Sequence, residues 1–294
     1  MITNEALTSD QIQQAVRSIR ASRPAYSDIL DYYVQLFTAQ QASQGHIQIQ
    51  PLELEADMVA IKKQEHFPLI ATSDFRLDHQ AAGDLLQHVC QVTSESNSDM
   101  AQSARGLLNA VQAEKFEVRP LFKALLEGDD TAFNTMAAEI AVDKGALAFL
   151  AYSAIKPSLS LFAEQLATFL PDDDSWVKGY CPICGSYPGM ALLGADGERW
   201  LCCGFCWHKW SVNRIFCPFC ENKDSQTLHY FFSEAEKGYR VDVCDKCRKY
   251  VKTVDTRAVE HPIYPPLEQV STLHLDMMAR EKGLESGTKI TFQL

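Results

Sequence analysis

The chain has 294 residues, room for two domains of ordinary size, and its 46% hydrophobic and 22% charged residues give it a globular balance. A formal net charge of −11 argues against a nonspecific nucleic-acid binder, which needs a basic face to displace counterions. The most apolar stretch, "GALAFLAYSAIKPSLSLFAEQLATFL", is interrupted by Lys156, Pro157 and Glu164, so it reads as buried helix rather than a membrane span. The N-terminus, "MITNEALTSDQIQQAV", lacks a basic segment followed by an apolar core, and a cytoplasmic location is expected.

Residues 1 to about 172 carry helical periodicity. "AYSDILDYYVQLFTAQ" puts Ile29, Leu30, Tyr33, Val34 and Phe37 on one face. "DLLQHVC" does the same with Leu85, Leu86, Val89 and Cys90, "MAQSARGLLNAVQ" with Met100, Leu107, Leu108 and Val111, and "TAFNTMAAEI" with Phe133, Met136, Ala137 and Ile140. Pro157 is expected to divide two further helices. Strand signals are scarce here, and helices joined by short polar links imply a bundle. "PDDDSWVKG", residues 171–179, is the expected boundary. Beyond it come short strands, glycine turns and cysteine knuckles. "PPLEQVSTLHLDMMAREKG" returns to helical period, with Val270, Leu273, His274, Met277 and Met278 on one face and Pro266 and Gly283 at its ends. The closing "TKITFQL" suits a short extended tail.

Ten cysteines are present; nine lie between 181 and 247, and Cys90 stands alone. In a reducing compartment such clustering points to metal before disulfide. The cluster is an internal repeat. Cys181-Pro-Ile-Cys184 leads through an apolar strand, a turn at Gly197 and a second strand to Cys203-Gly-Phe-Cys206. Cys217-Pro-Phe-Cys220 leads in the same way, past Gly238, to Cys244-Asp-Lys-Cys247. The wider spacing within the second copy is expected to lie in a longer first strand and turn. Two residues between cysteines let a tight turn aim both sulfurs at one point, and two such turns supply a tetrahedron suited to zinc or a single iron. A ribbon of about 35 residues buries too little apolar surface to fold alone. Ligation, worth roughly 10–16 kcal/mol for structural zinc, makes up the difference. The simplest pairing is sequential: Cys181, Cys184, Cys203 and Cys206, then Cys217, Cys220, Cys244 and Cys247. A cross-braced pairing of first with third knuckle is the alternative that spacing leaves open.

Aligning "LCCGFC" with "DVCDKC" puts Cys202 on Val243, which makes Cys202 a packed strand residue; a spare ligand or redox-active thiol is its alternative. His208 reads as a surface or packing residue because four thiols complete its neighbouring site. Trp207 and Trp210 read as cover for a ribbon with little core. Cys90 reads as a small buried hydrophobe, His88 as lying on another helix face, and His274 as a core histidine. HExxH, P-loop, GxGxxG and GxSxG motifs are lacking. A closed four-thiolate site has no open coordination position for hydrolysis. The metals then either hold a binding surface or, as iron, change oxidation state, and no enzyme activity is assigned.

Four knuckles in this order, followed by the helix, resemble the formate dehydrogenase accessory proteins of the FdhE type. The pieces that carry the resemblance are "YCPICGSYPGMALL", "RWLCCGFCWHKWSVNRIFCPFCEN", "YRVDVCDKCRKYVKTVDT" and "LHLDMMAREKG", supported by the helical segments "HFPLI" and "YSAIKPSLSLFAEQL". Cys202 lies outside the family's ligand pattern. The resemblance implies an α plus small β fold: an N-terminal helical bundle (1–174), two tandem rubredoxin-like or zinc-ribbon units (175–214 and 215–260), and a C-terminal helix and tail (261–294). It implies a cytoplasmic, chaperone-like maturation factor for respiratory formate dehydrogenase that contacts the catalytic subunit and is not itself the enzyme. It also implies two metal ions held by the eight knuckle cysteines, iron of rubredoxin type being favoured and zinc the alternative. The other readings are a rubredoxin-like electron carrier or redox sensor and a zinc-ribbon nucleic-acid binder.

Overall fold

The structure, a computed structural model, describes residues 7–170, 176–234 and 236–288. Pro171–Ser175 of the expected boundary and all but Thr288 of the "TKITFQL" tail lie outside these residues. In chain order the helices are α1 (Ser9–Ser22), α2 (Ser27–Gln44), α3 (Ala56–Gln64), α4 (His79–Glu95), α5 (Ala101–Gln112), α6 (Val118–Glu127), α7 (Asp130–Glu139) and α8 (Lys144–Ala167). Strands follow: β1 (Pro188–Leu193), β2 (Arg199–Cys203), β3 (Lys209–Val212), β4 (Leu228–Phe231), β5 (Tyr239–Cys244) and β6 (Lys249–Asp255). Then come α9 (Pro265–Ser271), α10 (Leu273–Glu281) and the short β7 (Glu285–Ser286). The α plus small β class is the one the sequence implied.

Two compact units are present. One gathers Asp31–Pro51 and Ala71–Phe162; the other gathers Leu52–Ile70 with the described residues of Met1–Leu30 and Ala163–Ile290. The helical stretch before residue 174 is thus shared between them.

The first unit is all helix. Leu85, Leu86, Val89 and Cys90 of α4 and Leu107 of α5 are buried on the faces the periodicity marks. Each such leucine contributes roughly 1.5–3 kcal/mol on leaving water. Asp78 and Asp129 cap α4 and α7 by accepting the N–H of Ala81 and Ala132. Gly128, at φ 67°, ends α6 in the left-handed conformation glycine tolerates.

Pro157 does not divide two helices. α8 runs through it for 24 residues. A proline removes the N–H that would bond the carbonyl four residues back, here that of Ser153. The buried Gln40 side chain replaces it, its Nε2 donating to the Ser153 carbonyl at 2.8 Å. The orphaned acceptor is satisfied, so the helix continues. Among the described residues α8 is the one helix long and apolar enough to cross a membrane, and 89% of its apolar window is buried within the protein.

The second unit is built on one seven-stranded sheet of order β3-β2-β1-β6-β5-β4, with β7 paired to β6. Each ribbon has a third strand, β3 or β6, that the sequence reading did not separate from the knuckle before it. Within a ribbon the strands are antiparallel; between ribbons β1 and β6 run parallel, Ala191 opposite Thr253 and Leu193 opposite Asp255. The second ribbon therefore repeats the first by translation along the sheet. Its extra residues lie in the loop 221–227 and the turn 232–238. Its first strand, β4, is shorter than β1, not longer as expected.

Two buried polar contacts fix the ribbons to each other and to the helices. Arg199 of β2 donates from Nη1 to the Phe216 carbonyl at 2.6 Å and pairs from Nη2 with Asp242 of β5 at 3.2 Å. Lys252 of β6, 3% exposed, donates to the carbonyls of Gln269 and Thr272 and pairs with Asp276 at 2.6 Å. Those carbonyls lie where the C-terminal helix breaks at Thr272 into α9 and α10. The break also changes the helical phase. Leu275, Asp276 and Ala279 face inward, and Met277, expected on the buried face, is 61% exposed. α1 begins with a capping box, Thr8 accepting from Gln11 N–H while the Gln11 side chain accepts from Thr8 N–H.

Replacing Gln40 with alanine should leave the Ser153 carbonyl buried and unpaired, at a cost of about 1–3 kcal/mol. In a Pro157→Ala background the restored N–H takes that carbonyl, so the same replacement should cost less. Urea unfolding of the two single variants and the double variant measures this; strictly additive losses would reject the account. A second expectation concerns pH. Burial brings the Lys156 ammonium down from 10.5 to about 7. Between those values the unfolded chain holds a proton that the folded protein has released, so stability rises with pH through this window and falls toward neutrality. Lys156→Met should flatten the dependence, as thermal unfolding across the window will show; an unchanged slope would remove Lys156 as its source.

Candidate metal centres

The four knuckles share one local design. Gly185, Trp207, Glu221 and Arg248, each directly behind the second cysteine of its pair, have φ of 72°, 65°, 57° and 59°. This left-handed residue closes the turn. In three knuckles it donates back to the carbonyl of the first cysteine: Gly185 to Cys181, Glu221 to Cys217 and Arg248 to Cys244, at 2.8–2.9 Å. The first cysteine's own N–H reaches the next carbonyl along, Cys181 to Ser186, Cys203 to His208 and Cys217 to Asn222. Both cysteines of a pair are thereby held on the same side of the turn.

The turns bring the sulfurs together in the sequential pairing. Cys181, Cys184, Cys203 and Cys206 form one group and Cys217, Cys220, Cys244 and Cys247 the other, all four Sγ atoms of each lying within 4.8 Å of one another. The cross-braced arrangement is not the one formed. In the first group Cys181–Cys206 and Cys184–Cys206 are 3.7 Å apart and Cys184–Cys203 3.6 Å. In the second, Cys217–Cys247 is 3.7 Å and Cys220–Cys244 3.6 Å. A regular tetrahedron with metal–sulfur bonds of about 2.3 Å has edges of about 3.8 Å. Soft sulfur donors at this spacing suit zinc or iron, and the two groups could hold two metal ions.

Hydrogen bonds prepare the sulfurs for charge. Cys203 Sγ accepts from the N–H groups of Phe205 and Cys206 at 3.3 and 3.4 Å. Burial works against the Cys244 thiolate. The N–H groups of Cys247 and Lys246 and the Asn222 side chain outweigh it and bring the thiol down to about 7. Asn222, itself buried, bonds Cys244 Sγ at 3.6 Å and Thr227 Oγ1 at 2.8 Å. Sequence reasoning passed over Asn222; its signal was its place two residues behind a knuckle.

The centres differ in shelter. All four cysteines of the first group are buried, at most 5% exposed. Their cover includes "HFPLI", which is not helical as expected. It follows the end of α3 as an open segment whose Leu69 and Ile70 N–H groups donate to the Pro182 and Ile183 carbonyls of the knuckle, both at 2.9 Å. A β-carbon on Gly185 would come 2.9 Å from Pro68 Cγ. In the second group Cys217 and Cys244 are buried, Cys247 is half-buried and Cys220 is exposed.

The remaining candidates take structural places. Cys202 is fully buried on the opposite face of β2, packed with Met190, Val241 and Leu275, and burial pushes its thiol up to about 12. His208 is buried, which brings its imidazole down to about 4. Trp210 is buried and donates to the Lys178 carbonyl; Trp207 occupies the left-handed position. Cys90 lies in the α4 core with its thiol at about 12, and His88 is exposed on another face. His274 is hydrogen-bonded at Nδ1 with Tyr26 Oη at 2.8 Å, and its Nε2 lies 2.9 Å from Glu236.

Fold and thiol groups together define a class: a largely helical protein with two four-cysteine ribbons joined in one sheet. The chain is similar over nearly its whole length to proteins of the FdhE type. It is 27% identical over 283 residues to an FdhE homolog from Pectobacterium carotovorum, covering 94% of this chain and 84% of that protein. It is 29% identical over 174 residues to an FdhE homolog from Aquifex aeolicus, where the match spans 56% of the relative's length. The fold matches the crystal structure of the FdhE protein from Pseudomonas aeruginosa with a TM-score of 0.68 at 20% identity, covering 98% of this chain and 97% of that one. No family model matches.

Loaded with two equivalents of zinc and challenged with a chelator that changes colour on binding, the protein should release metal in two phases, the exposed second site first. Cys220→Ser should keep one equivalent and show the slow phase only. A single phase in the parent protein, or loss of both equivalents from Cys220→Ser, would contradict two separate and unequal sites.

Proposed function

We propose that the chain is an accessory factor in the maturation of a respiratory formate dehydrogenase, acting in the cytoplasm on the catalytic subunit rather than as an enzyme. The observation that carries this reading is the match to FdhE proteins over nearly the whole chain, knuckles included. Cys181, Cys184, Cys203 and Cys206 hold one ion and Cys217, Cys220, Cys244 and Cys247 the other. A bound ion crosslinks each ribbon and, where it is iron, adds a one-electron couple. The protein's own part is to fix the thiolates by the turn geometry, exclude water from the first site and leave the second near the surface. With four thiolates per ion no coordination position is left for a substrate, which supports a binding role.

A second reading, a rubredoxin-like carrier or redox sensor with iron in the second site, draws on the exposure of Cys220. Electron exchange needs close approach to the metal, and only this site offers it. Two measurements decide. Immobilised protein should retain a formate dehydrogenase catalytic subunit from formate-respiring cells; retention of nucleic acid with no such subunit would overturn the accessory reading. Anaerobically purified protein should carry two metal ions, and its visible spectrum distinguishes iron, which absorbs, from zinc, which does not.

A further inference from the structure

The two faces of the second ribbon are treated differently. One packs Tyr239, Val241 and Tyr250 against Leu275 and Ala279 of α10. The other is covered at β6, where Val251 and Thr253 are buried, and open along β4, where it borders a cleft of about 240 Å³ whose walls include Arg199, Arg214, Phe219, Tyr230, Arg240 and Lys249. Around that cleft the exposed apolar residues are Ile215 at 52%, Tyr230 at 58% and, one step along the chain from β4, Phe232 at 41%. Tyr230 and Phe232 stack at 6.3 Å, and Arg240 lies 4.6 Å over the Tyr230 ring.

Charge in the cleft opposes that of the chain. Four cations line it against one carboxylate, Asp242, in a protein of net charge −11. Asp242 is already taken: Arg199 and Arg240 pair with its two oxygens, and Thr253 Oγ1 donates to it at 2.7 Å. Arg199 is 4% exposed, yet its Nε has no hydrogen-bond partner. Arg214 is exposed and makes no ion pair among the described residues. The site has more donors than its own carboxylate satisfies.

The same face ends at an open edge. Among the described residues β4 is the last strand of the sheet and pairs on one side only, with β5. Edge strands are usually blunted by lysine, proline or a bulge. "LHYFF" has none of these, and the imidazole of its one histidine, His229, lies 2.8 Å from Asp245. An unpaired backbone edge, exposed aromatics and surplus guanidinium donors on one surface suit an extended chain that adds as a strand and turns acidic side chains toward the arginines.

We propose that the β4 edge and its cleft form a docking site for an acidic, aromatic-bearing extended segment of a partner protein, bound by strand addition. This holds whether or not the partner is a formate dehydrogenase. The test uses the full chain loaded with two metal ions and a fluorescein-labelled peptide alternating Glu with Phe and Val, beside a control with Gln for each Glu. The acidic peptide should bind at least about tenfold more tightly than the control, an expected size for one or two charge-assisted contacts. Its binding should weaken with salt, fall about tenfold in Arg214→Glu, and fall also in Phe232→Ser. Hydrogen exchange at 228–232 should slow when it binds. Metal content of each variant checks that the ribbon is intact, and Arg214, being exposed, can be changed without touching the core. Equal binding of the two peptides, or no effect of Arg214→Glu, would overturn the proposal. So would binding without protection of β4, or equal protection by inorganic phosphate, which would mark a small-anion site. Mass growth in solution that Phe232→Ser abolishes would identify further copies of this chain as the occupant instead.

Discussion

The parallel pairing of β1 with β6 is the contact on which the cysteine-bearing unit depends. Alone, each ribbon is a three-stranded scrap with two edges and one apolar face too small to hold it. Joined, the two give a sheet whose central strands are buried on both sides, as the near-continuous burial of β1 and β6 shows. The junction also sets where the knuckles fall. β2 and β5 both run against the central pair, so their terminal cysteines, Cys203 and Cys244, lie at the same end of the sheet. Arg199 makes the junction polar as well as apolar, reaching from the first ribbon to the Phe216 carbonyl at the start of the third knuckle.

The helices at the end of the chain rest on this sheet through charge and hydrogen bonds as much as through Leu275 and Ala279. Glu268 is fully buried and accepts from Tyr239 Oη at 2.8 Å, while His261 sits 2.9 Å from its other oxygen. Tyr250 and Lys252 share Asp276. Buried ions repay their desolvation only when fully partnered. Here each is partnered by a group from the sheet or its flanking loop, so α9 and α10 have one position in which all of them are satisfied. Burial lowers the Lys252 ammonium, and Asp276 opposes that shift.

Much of the thiol geometry was legible because four C-x-x-C turns clustered in one region point to metal, and the internal repeat identified complete units. Helix faces such as Leu85–Leu86–Val89–Cys90 were legible because period is local. What escaped was decided by distant partners. Pro157 reads as a break unless Gln40, more than a hundred positions away, supplies the missing donor. "PPLEQVSTLHLDMMAREKG" reads as one helix unless Lys252 is there to take the carbonyls of a broken one. "HFPLI" carries no mark of its bonds to the first knuckle. The third strands were hidden because each starts within a few residues of a cysteine turn, too close for alternation to be counted.

The left-handed residue behind each knuckle has a consequence for how the turns are anchored to the rest of the molecule. Glycine is the natural occupant, and Gly185 is the one knuckle position that has it. Trp207, Glu221 and Arg248 accept a strain of about 1 kcal/mol each, small beside the roughly 10–16 kcal/mol of a bound structural ion. In return two of these turns gain a handle. Glu221 grips Lys178, and Arg248 holds the Lys282 carbonyl at the end of α10. The knuckles are therefore tied outward through their least comfortable residues, one to the linker and one to the last helix. A glycine at the same place would have closed the turn just as well but has no side chain to make either contact.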